Sequence, residues 1–266
     1  MKTPLQPQRL AWIETFRSRS RLDLLSFWHR CGDFHRHSVL AEPWGALHRP
    51  DWAKRGLLIW PRGGVWLRIE QTITWPEHWQ HCQDCHERLV LSWWADQVRL
   101  WVDGVLVHEG DLFDTRCRWM LPVSWRQGAG LRVVLELRSP CHDDGALIRS
   151  ELVREPRVPA LDPRGCLLPQ ALDLACIDAE SMPESWLACD PLSEDAAAQV
   201  HHHLAGQAPS TGEVHWVGHA HLDLAWLWPV ADTWQAAERT FRSALKLMEL
   251  YPELHFAHST PALYEW

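Results

Sequence analysis

Two histidines and an aspartate alternate near the C-terminal end of the chain, where His219, His221 and Asp223 form an HxHxD pattern. Residues two apart in extended backbone point to the same side. Imidazole and carboxylate groups are both good ligands for a borderline metal such as zinc. The spacing therefore predicts a metal site that uses these side chains.

The HxHxD spacing by itself leaves three interpretations open. The residues could be ordinary buried polar groups in a turn. This explanation is a poor one, because two histidines and an aspartate alternate in register. They could belong to another metallohydrolase. Amidohydrolase-type barrels use HxH on their first strand, whereas metallo-β-lactamase-like enzymes carry a further histidine where this chain has Leu224. The third interpretation depends on the residues around the pattern.

Two other groups of possible metal ligands occur earlier in the chain. The cluster of His81, Cys82, Cys85 and His86 contains a lone CxxC. A structural zinc site normally needs a second ligand pair, so a hydrophilic loop is the simpler interpretation. The run 201–203 consists of three histidines. Adjacent helical residues point in different directions, so we expect these side chains to be solvated.

The HxHxD pattern lies between a predicted strand and a predicted helix. We expect a strand at 213–218, a helix over 230–251 and a second strand at 254–259. Asp232 and Gln235 resemble a capping box at the helix start. The face of the helix predicted to be buried carries Trp234, Ala237, Phe241, Leu245 and Met248. Strand, helix and strand make a βαβ unit, which implies a parallel sheet or barrel, and sites gather at the carboxyl ends of such strands.

The preceding 212 residues have different patterns. Residues 1–30 predict one or two short helices, with a second apolar run at 22–28. Residues 31–156 alternate in short apolar segments separated by turn residues, which predicts an antiparallel β-sandwich of jelly-roll type, with a tight hairpin at Asp103-Gly104. Residues 157–212 are proline-rich and predict a connector over a surface, with a helix capped by Ser193 and closed by Gly206.

Composition excludes several classes of function. The formal charge of −8 and pI near 6.1 argue against a nucleic-acid partner, because phosphate binding requires a basic surface. No apolar run approaches the roughly 18 residues of a membrane helix, and the N-terminus is not a secretory signal. We therefore expect a cytoplasmic protein whose eight cysteines are reduced thiols. Most of the 19 tryptophans are expected in a core, although some could stack on sugars.

The residues around HxHxD distinguish the interpretations. The segment VGHAHLDLAWLWP, with the ERTFRSALKLMELYPELHFAHSTPALYEW stretch after it, closely resembles the start of the catalytic domain of glycoside hydrolase family 38. The resemblance covers 213–266 and is strongest to the cytosolic and bacterial α-mannosidase branch. That branch carries a galactose-binding-like sandwich ahead of its catalytic barrel, to which 31–156 is similar only in architecture. The implied fold is mixed: this sandwich, then the first βαβ unit of a seven-stranded-type α/β barrel.

The resemblance also implies roles for individual residues. His221 and Asp223 match two zinc ligands of the family, and Trp226 matches the aromatic residue against which the mannose ring packs. His219 matches a histidine to which we assign only support of the metal ligands. The implied cofactor is zinc, and the implied partner is a mannose-containing oligosaccharide.

Family 38 enzymes are retaining exo-acting glycosidases that use a carboxylate nucleophile and a second acid. In the family these two groups lie downstream of the matched motif. We therefore expect the 266-residue chain to be an N-terminal fragment that is inactive alone, with a partner chain supplying the rest of the barrel. The resemblance also implies a homo-oligomer for a complete enzyme. The alternative is a non-catalytic carbohydrate-binding or assembly module.

Overall fold

The computed structural model of the protein describes most of the chain, and its described residues are 6–32, 38–41, 50–79, 85–128, 130–156, 168–206, 215–225 and 227–265. The chain divides into two compact units, Met1–Ala208 and Pro209–Trp266. Within the described ranges, no helix combines the length and apolar character needed to cross a membrane.

Among its described residues, the first unit contains ten strands and four α-helices. The strands, in chain order, are β1 (Arg21–Asp23), β2 (His29–Arg30), β3 (Leu58–Trp60), β4 (Trp66–Ile73), β5 (Cys85–Trp94), β6 (Gln97–Val102), β7 (Val105–Gly110), β8 (Arg116–Met120), β9 (Leu131–Arg138) and β10 (Gly145–Pro156). The helices are α1 (Gln6–Arg17), α2 (Pro50–Lys54), α3 (Leu168–Leu174) and α4 (Glu194–Ala205).

The strands form two antiparallel sheets that share one hydrophobic core. One sheet has the order β1-β10-β5-β8, with β3 also pairing with β10, and the other has the order β2-β4-β9-β6-β7. The core cluster contains residues of both sheets, such as Leu91 and Trp93 from β5 and Leu135 and Leu137 from β9. The prediction of antiparallel, β-rich architecture is therefore confirmed.

The predicted hairpin joins β6 to β7. Asp103 has φ +47° and Gly104 has φ +82°, and Val102 pairs with Val105 across the turn. Positive φ at both central residues is the conformation that makes Asp-Gly favourable in a two-residue hairpin loop.

Tryptophans fill much of the sandwich core, as predicted. Trp28, Trp60, Trp93 and Trp125 are fully buried. Each indole N–H donates to an oxygen atom within the unit: the hydroxyl of Ser150 or the carbonyls of Val65, Asp111 and Ile73. Because a buried indole donor without a partner is costly, these bonds allow large apolar rings to occupy the interior.

A buried arginine lies among a further group of tryptophans. The guanidinium carbon of Arg154 lies 5.2 Å from the ring centre of Trp75 and 4.6 Å from that of Trp79. These are distances at which a cation is attracted by an aromatic face. The indole of Trp79 donates to the Ser18 carbonyl at 2.8 Å, so this group also holds the chain just after α1.

The N-terminal prediction of one or two short helices is met by α1. The apolar run at 22–28 adds no second α-helix: Arg21–Asp23 pairs with β10 as β1, and Leu25–Phe27 is a 3-10 turn. The described residues of the predicted connector, 168–206, form a second core with α1. Its buried members are Trp12, Ile13, Phe16, Leu168, Leu172, Ile177, Met182, Trp186, Ala196, Ala197 and Val200.

The other helix prediction for this region is confirmed. The hydroxyl of Ser193 accepts a hydrogen bond from the amide of Ala196 at the start of α4, and Gly206 follows its last residue. The side chains of the histidine run 201–203 do not converge: the His203 ring packs edge-on against Trp186, whereas His202 is exposed.

The expectation that all cysteines are reduced is wrong at one position. Cys85 is disulfide-bonded and buried in β5. The other five described cysteines are free, so its partner lies outside the described residues, as do His81 and Cys82 of the CxxC cluster.

Gly145 provides a test of sandwich packing. A Cβ atom at this position would lie 2.3 Å from Cε2 of the buried Trp60 ring, which is its cross-strand neighbour. We expect Gly145→Ala to lower the free energy of unfolding by about 1–3 kcal/mol, as overpacking does. Urea unfolding followed by tryptophan fluorescence measures this. Gly206→Ala is the control, since its Cβ would meet only ordinary contacts at 3.4 Å or more, and equal stability of the two variants would contradict the packing.

Candidate functional site

The second unit contains a parallel pair of strands joined by a helix. β11 (Gly218–His219) pairs in parallel with β12 (Phe256–Ala257), and α5 (Val230–Leu250) lies between them in sequence. The amide of Gly218 also donates to the His255 carbonyl at 2.8 Å. The predicted strand–helix–strand order is present, with strands shorter than expected. His219 is the last residue of β11, whose carboxyl end lies beside that of β12, and His221 and Asp223 follow it.

The start of α5 differs from the predicted capping box. Pro229 occupies the N-cap position with extended φ and ψ angles, and no side chain caps the helix. Asp232 lies inside the first turn, where a carboxylate is still favourable beside the positive end of the helix dipole. Proline suits this boundary because its φ is already restricted and it has no N–H to satisfy.

The buried face of α5 is also displaced from the predicted one. Thr233, Ala237 and Ala244 are the buried residues, whereas Trp234 and Leu245 are 51% and 61% exposed. Of the five predicted residues, Ala237 is buried, and the other two buried residues, Thr233 and Ala244, lie outside the predicted set.

Four rings pack together at the ends of the strands. Phe241 of α5 stacks on Tyr264 of the short helix α6 (Ala262–Glu265), with ring centres 5.0 Å apart. The His258 ring contacts both of them edge-on. On its other side, His258 stacks on His219 with centres 6.0 Å apart. These contacts connect the helices to the first histidine of the HxHxD pattern.

His219 has its orientation set by the neighbouring strand. Its Nδ1 lies 3.0 Å from the carbonyl oxygen of Ala257. A carbonyl oxygen only accepts hydrogen bonds, so Nδ1 carries the proton. This bond and the stack with His258 hold the ring against β12. A metal-ligating histidine commonly donates its other ring N–H to a carbonyl, so the supporting role assigned to His219 stays a prediction.

His221 and Asp223 do come together. His221 Nε2 lies 3.1 Å from Oδ1 of Asp223, and the side chains are 79% and 37% exposed. Two atoms bound to one zinc ion at about 2.0–2.2 Å are separated by roughly 3–3.5 Å. The donor types and their separation therefore fit two neighbouring zinc ligands, and both remain accessible.

The described part of the chain does not supply more ligands at this place. No group of three or more histidine, cysteine, aspartate or glutamate side chains suited to holding a metal occurs among the described residues. Trp226, the predicted sugar-stacking residue, lies outside the described residues. Its neighbour Trp228 is 37% exposed, and its indole N–H donates to the hydroxyl of Thr233 at 3.0 Å.

Thr233 is the residue that the sequence interpretation missed. Its hydroxyl bonds the loop that carries Asp223 at three places, although it lies ten positions later in the chain. A threonine in the first turn of a helix that immediately follows a candidate site is the only sequence signal for this contact. That signal becomes informative only once the loop conformation is known.

Comparisons with known proteins bear on this segment. Residues 211–266 match the family model described as the glycosyl hydrolases family 38 N-terminal domain. We refer to this stretch, which is similar to the family 38 model, as the family 38 segment. The match confirms the resemblance seen in the sequence, and it favours family 38 over the amidohydrolase interpretation of HxHxD.

Curated relatives of the family 38 segment are α-mannosidases by name. The chain is 37% identical over 76 residues to human Alpha-mannosidase 2C1, an alignment that covers 29% of this chain and 7% of that protein. It is 38% identical over 50 residues to Alpha-mannosidase G of Dictyostelium discoideum, covering 19% and 5% of the two chains. The Alpha-mannosidase of Saccharomyces cerevisiae is 34% identical over 61 residues, covering 23% and 6%. The chain thus matches less than a tenth of the length of each relative.

Proposed function

We propose that the family 38 segment contributes two zinc ligands and one sugar-binding residue to a retaining exo-acting α-mannosidase of the cytosolic and bacterial branch. The substrate would be the terminal α-mannosides of oligosaccharides. The observation that carries the proposal is the convergence of His221 and Asp223, 3.1 Å apart, where a strand of a family 38 segment ends.

Each residue has a distinct part in this proposal. Nε2 of His221 and the carboxylate of Asp223 hold the zinc ion, which when bound polarises and orients hydroxyl groups of the sugar. His219 keeps its ring against the Ala257 carbonyl and supports the ligands from the side of β12. Trp226 offers an apolar ring face to the mannose, by analogy with the family motif.

The mechanism requires groups beyond these. Retaining hydrolysis needs a carboxylate nucleophile and an acid/base about 5–5.5 Å apart, and a catalytic zinc usually has three or more protein ligands. The described part of this chain offers no group of three metal-binding side chains. We therefore propose that residues 213–266 supply only part of the seven-stranded-type barrel and of the site, and that further polypeptide supplies the rest. The galactose-binding-like type of the sandwich and the cytoplasmic location stay predictions.

The isolated chain tests whether the site is complete. We expect the purified 266-residue protein to hydrolyse an aryl α-mannoside no faster than buffer, with or without added Zn²⁺, because two ligands make a weak site. Release of the aryl alcohol measures this. Zinc-dependent turnover that is lost in Asp223→Asn would show that the chain is a self-sufficient enzyme and would overturn this part of the proposal.

A chimera tests the residue roles directly. Residues 211–266 replace the aligned segment of the yeast α-mannosidase, and kcat/KM for an aryl α-mannoside is measured together with the zinc content. We expect His221→Ala and Asp223→Asn to lower both. The loss should exceed the roughly 10–100-fold typical of outer-shell partners, because these variants remove ligands themselves.

The chimera has matched controls within the same segment. His255→Ala and Asp232→Asn remove an exposed imidazole and an exposed carboxylate that have no assigned role, and we expect activity within about threefold of the parent, as for surface changes. If the ligand variants behave like these controls, His221 and Asp223 do not bind the zinc.

The sandwich supports a second candidate function, carbohydrate binding. A surface cavity of about 400 Å³ is lined by residues that include Arg30, Cys31, Trp66 and Arg68. Trp66 is 48% exposed and offers a ring face for a pyranose, while the guanidinium groups can donate hydrogen bonds to hydroxyls. Burial, with Glu70 nearby, raises the pKa of the Cys31 thiol. The thiol is therefore uncharged at neutral pH.

Titration with methyl α-mannoside decides this second candidate. If the sandwich binds sugar, we expect chemical-shift changes in the protein that saturate at millimolar sugar concentration and that disappear in Trp66→Ala. Phe113→Ala is the control, since Phe113 is a still more exposed aromatic residue of the same unit. Absence of binding at millimolar concentration would leave the sandwich without a sugar-binding role.

A further inference from the structure

We propose that Thr233 is a positioning residue for the zinc site, which sets the backbone of Asp223 from the first turn of α5. The proposal rests on the proposed function, since it takes Asp223 to be a zinc ligand. It adds a residue that lies outside the HxHxD pattern and does not itself contact metal or sugar.

The hydroxyl of Thr233 uses its whole hydrogen-bonding capacity on one loop. It accepts from the amide of Ala225 at 3.1 Å and from the indole N–H of Trp228 at 3.0 Å. It donates to the carbonyl oxygen of Asp223 at 3.1 Å. A hydroxyl group has one donor and two acceptor positions, so all three are occupied, and the side chain is 1% exposed.

One of the bonded groups belongs to a residue with an unfavourable backbone conformation. Ala225 has φ +54°, in the left-handed region that residues with a Cβ rarely adopt. Such a conformation persists only where surrounding contacts hold it. The bond to the Ala225 amide provides this contact, and the bond to the Asp223 carbonyl holds the backbone of the proposed ligand itself.

The same three bonds bracket the proposed sugar-binding position in the sequence. Trp226 lies between Ala225 and Trp228, both of which donate to the Thr233 hydroxyl. One side chain on a regular helix therefore fixes the chain on both sides of residue 226 and at Asp223. The helix supplies rigidity that an isolated loop would lack.

Only a hydroxyl on a short side chain meets these requirements. Valine has the same shape as threonine but would remove the acceptor that the Ala225 amide and the Trp228 indole bond at the buried Thr233 position. Serine keeps the hydroxyl and loses only a methyl group. Comparing the two substitutions separates the hydrogen bonds from the packing.

The experiment measures Zn²⁺ affinity of the full 266-residue chain by calorimetry, with His221→Ala defining the signal that belongs to this site. We expect Thr233→Val to weaken this binding about tenfold, as loss of an outer-shell partner does, and Thr233→Ser to stay within about twofold. Thr240→Val makes the same substitution two turns later on α5 and serves as the control, with unchanged affinity.

Hydrogen exchange of the loop 223–228 provides a second readout. We expect exchange there to rise at least about tenfold in Thr233→Val, in line with the loss of tertiary hydrogen bonds, while the amides of 240–250 keep wild-type protection. Thr233→Ser should exchange like the wild type. Unchanged zinc affinity and unchanged loop exchange in Thr233→Val would overturn the proposal, as would equal losses in the valine and serine variants.

The two readouts also separate this inference from the proposed function. If the wild-type chain shows no Zn²⁺ binding that depends on His221, these two groups alone do not hold zinc in this chain, and the zinc content of the chimera decides the ligand assignment. The exchange measurement still decides whether Thr233 holds the loop. If the affinity falls with protection lost throughout α5, the effect is unfolding of the helix, and the positioning role is rejected.

Discussion

The parallel pairing of β11 with β12 is the constraint on which the candidate site depends. It joins only two residues on each strand, with one further bond between Gly218 and His255. Parallel strands cannot be joined by a tight turn and need a long crossover, which here is α5. Because both strands then run in the same direction, His219 at the end of β11 and His258 just after β12 meet at the same edge, and their rings stack.

Strands this short bury little surface. Side chains on the helices therefore hold the residues of the site in place. Phe241 and Tyr264 support the His258 ring, which in turn packs on His219. The hydroxyl of Thr233 bonds the Ala225 amide, the Asp223 carbonyl and the Trp228 indole of the loop before α5. His221 and Asp223 stay 79% and 37% exposed, so both are accessible from solvent.

The first unit buries many indole rings in its core. Its fully buried tryptophans all donate to oxygen atoms within the unit, and Arg154 is placed over the faces of Trp75 and Trp79. Most of the tryptophan content thus serves packing. Trp66 differs because it stands at the outer surface beside a cavity, and it is the residue through which a sugar-binding role can be separated from a structural one.

Features determined by neighbouring residues could be predicted from the sequence. The HxHxD alternation, the Asp103-Gly104 hairpin, the Ser193 cap and the existence of α5 depend on contacts within a few positions, and the family 38 segment is recognisable from one continuous stretch. Other features depend on distant partners and were decided only by the tertiary structure. The run 22–28 became a strand because β10 offered an edge, and residues 168–206 became a core because α1 packs against them. Thr233 acquired its role because the loop before it folds back so that three separate polar groups reach one hydroxyl, an arrangement that sequence spacing does not encode.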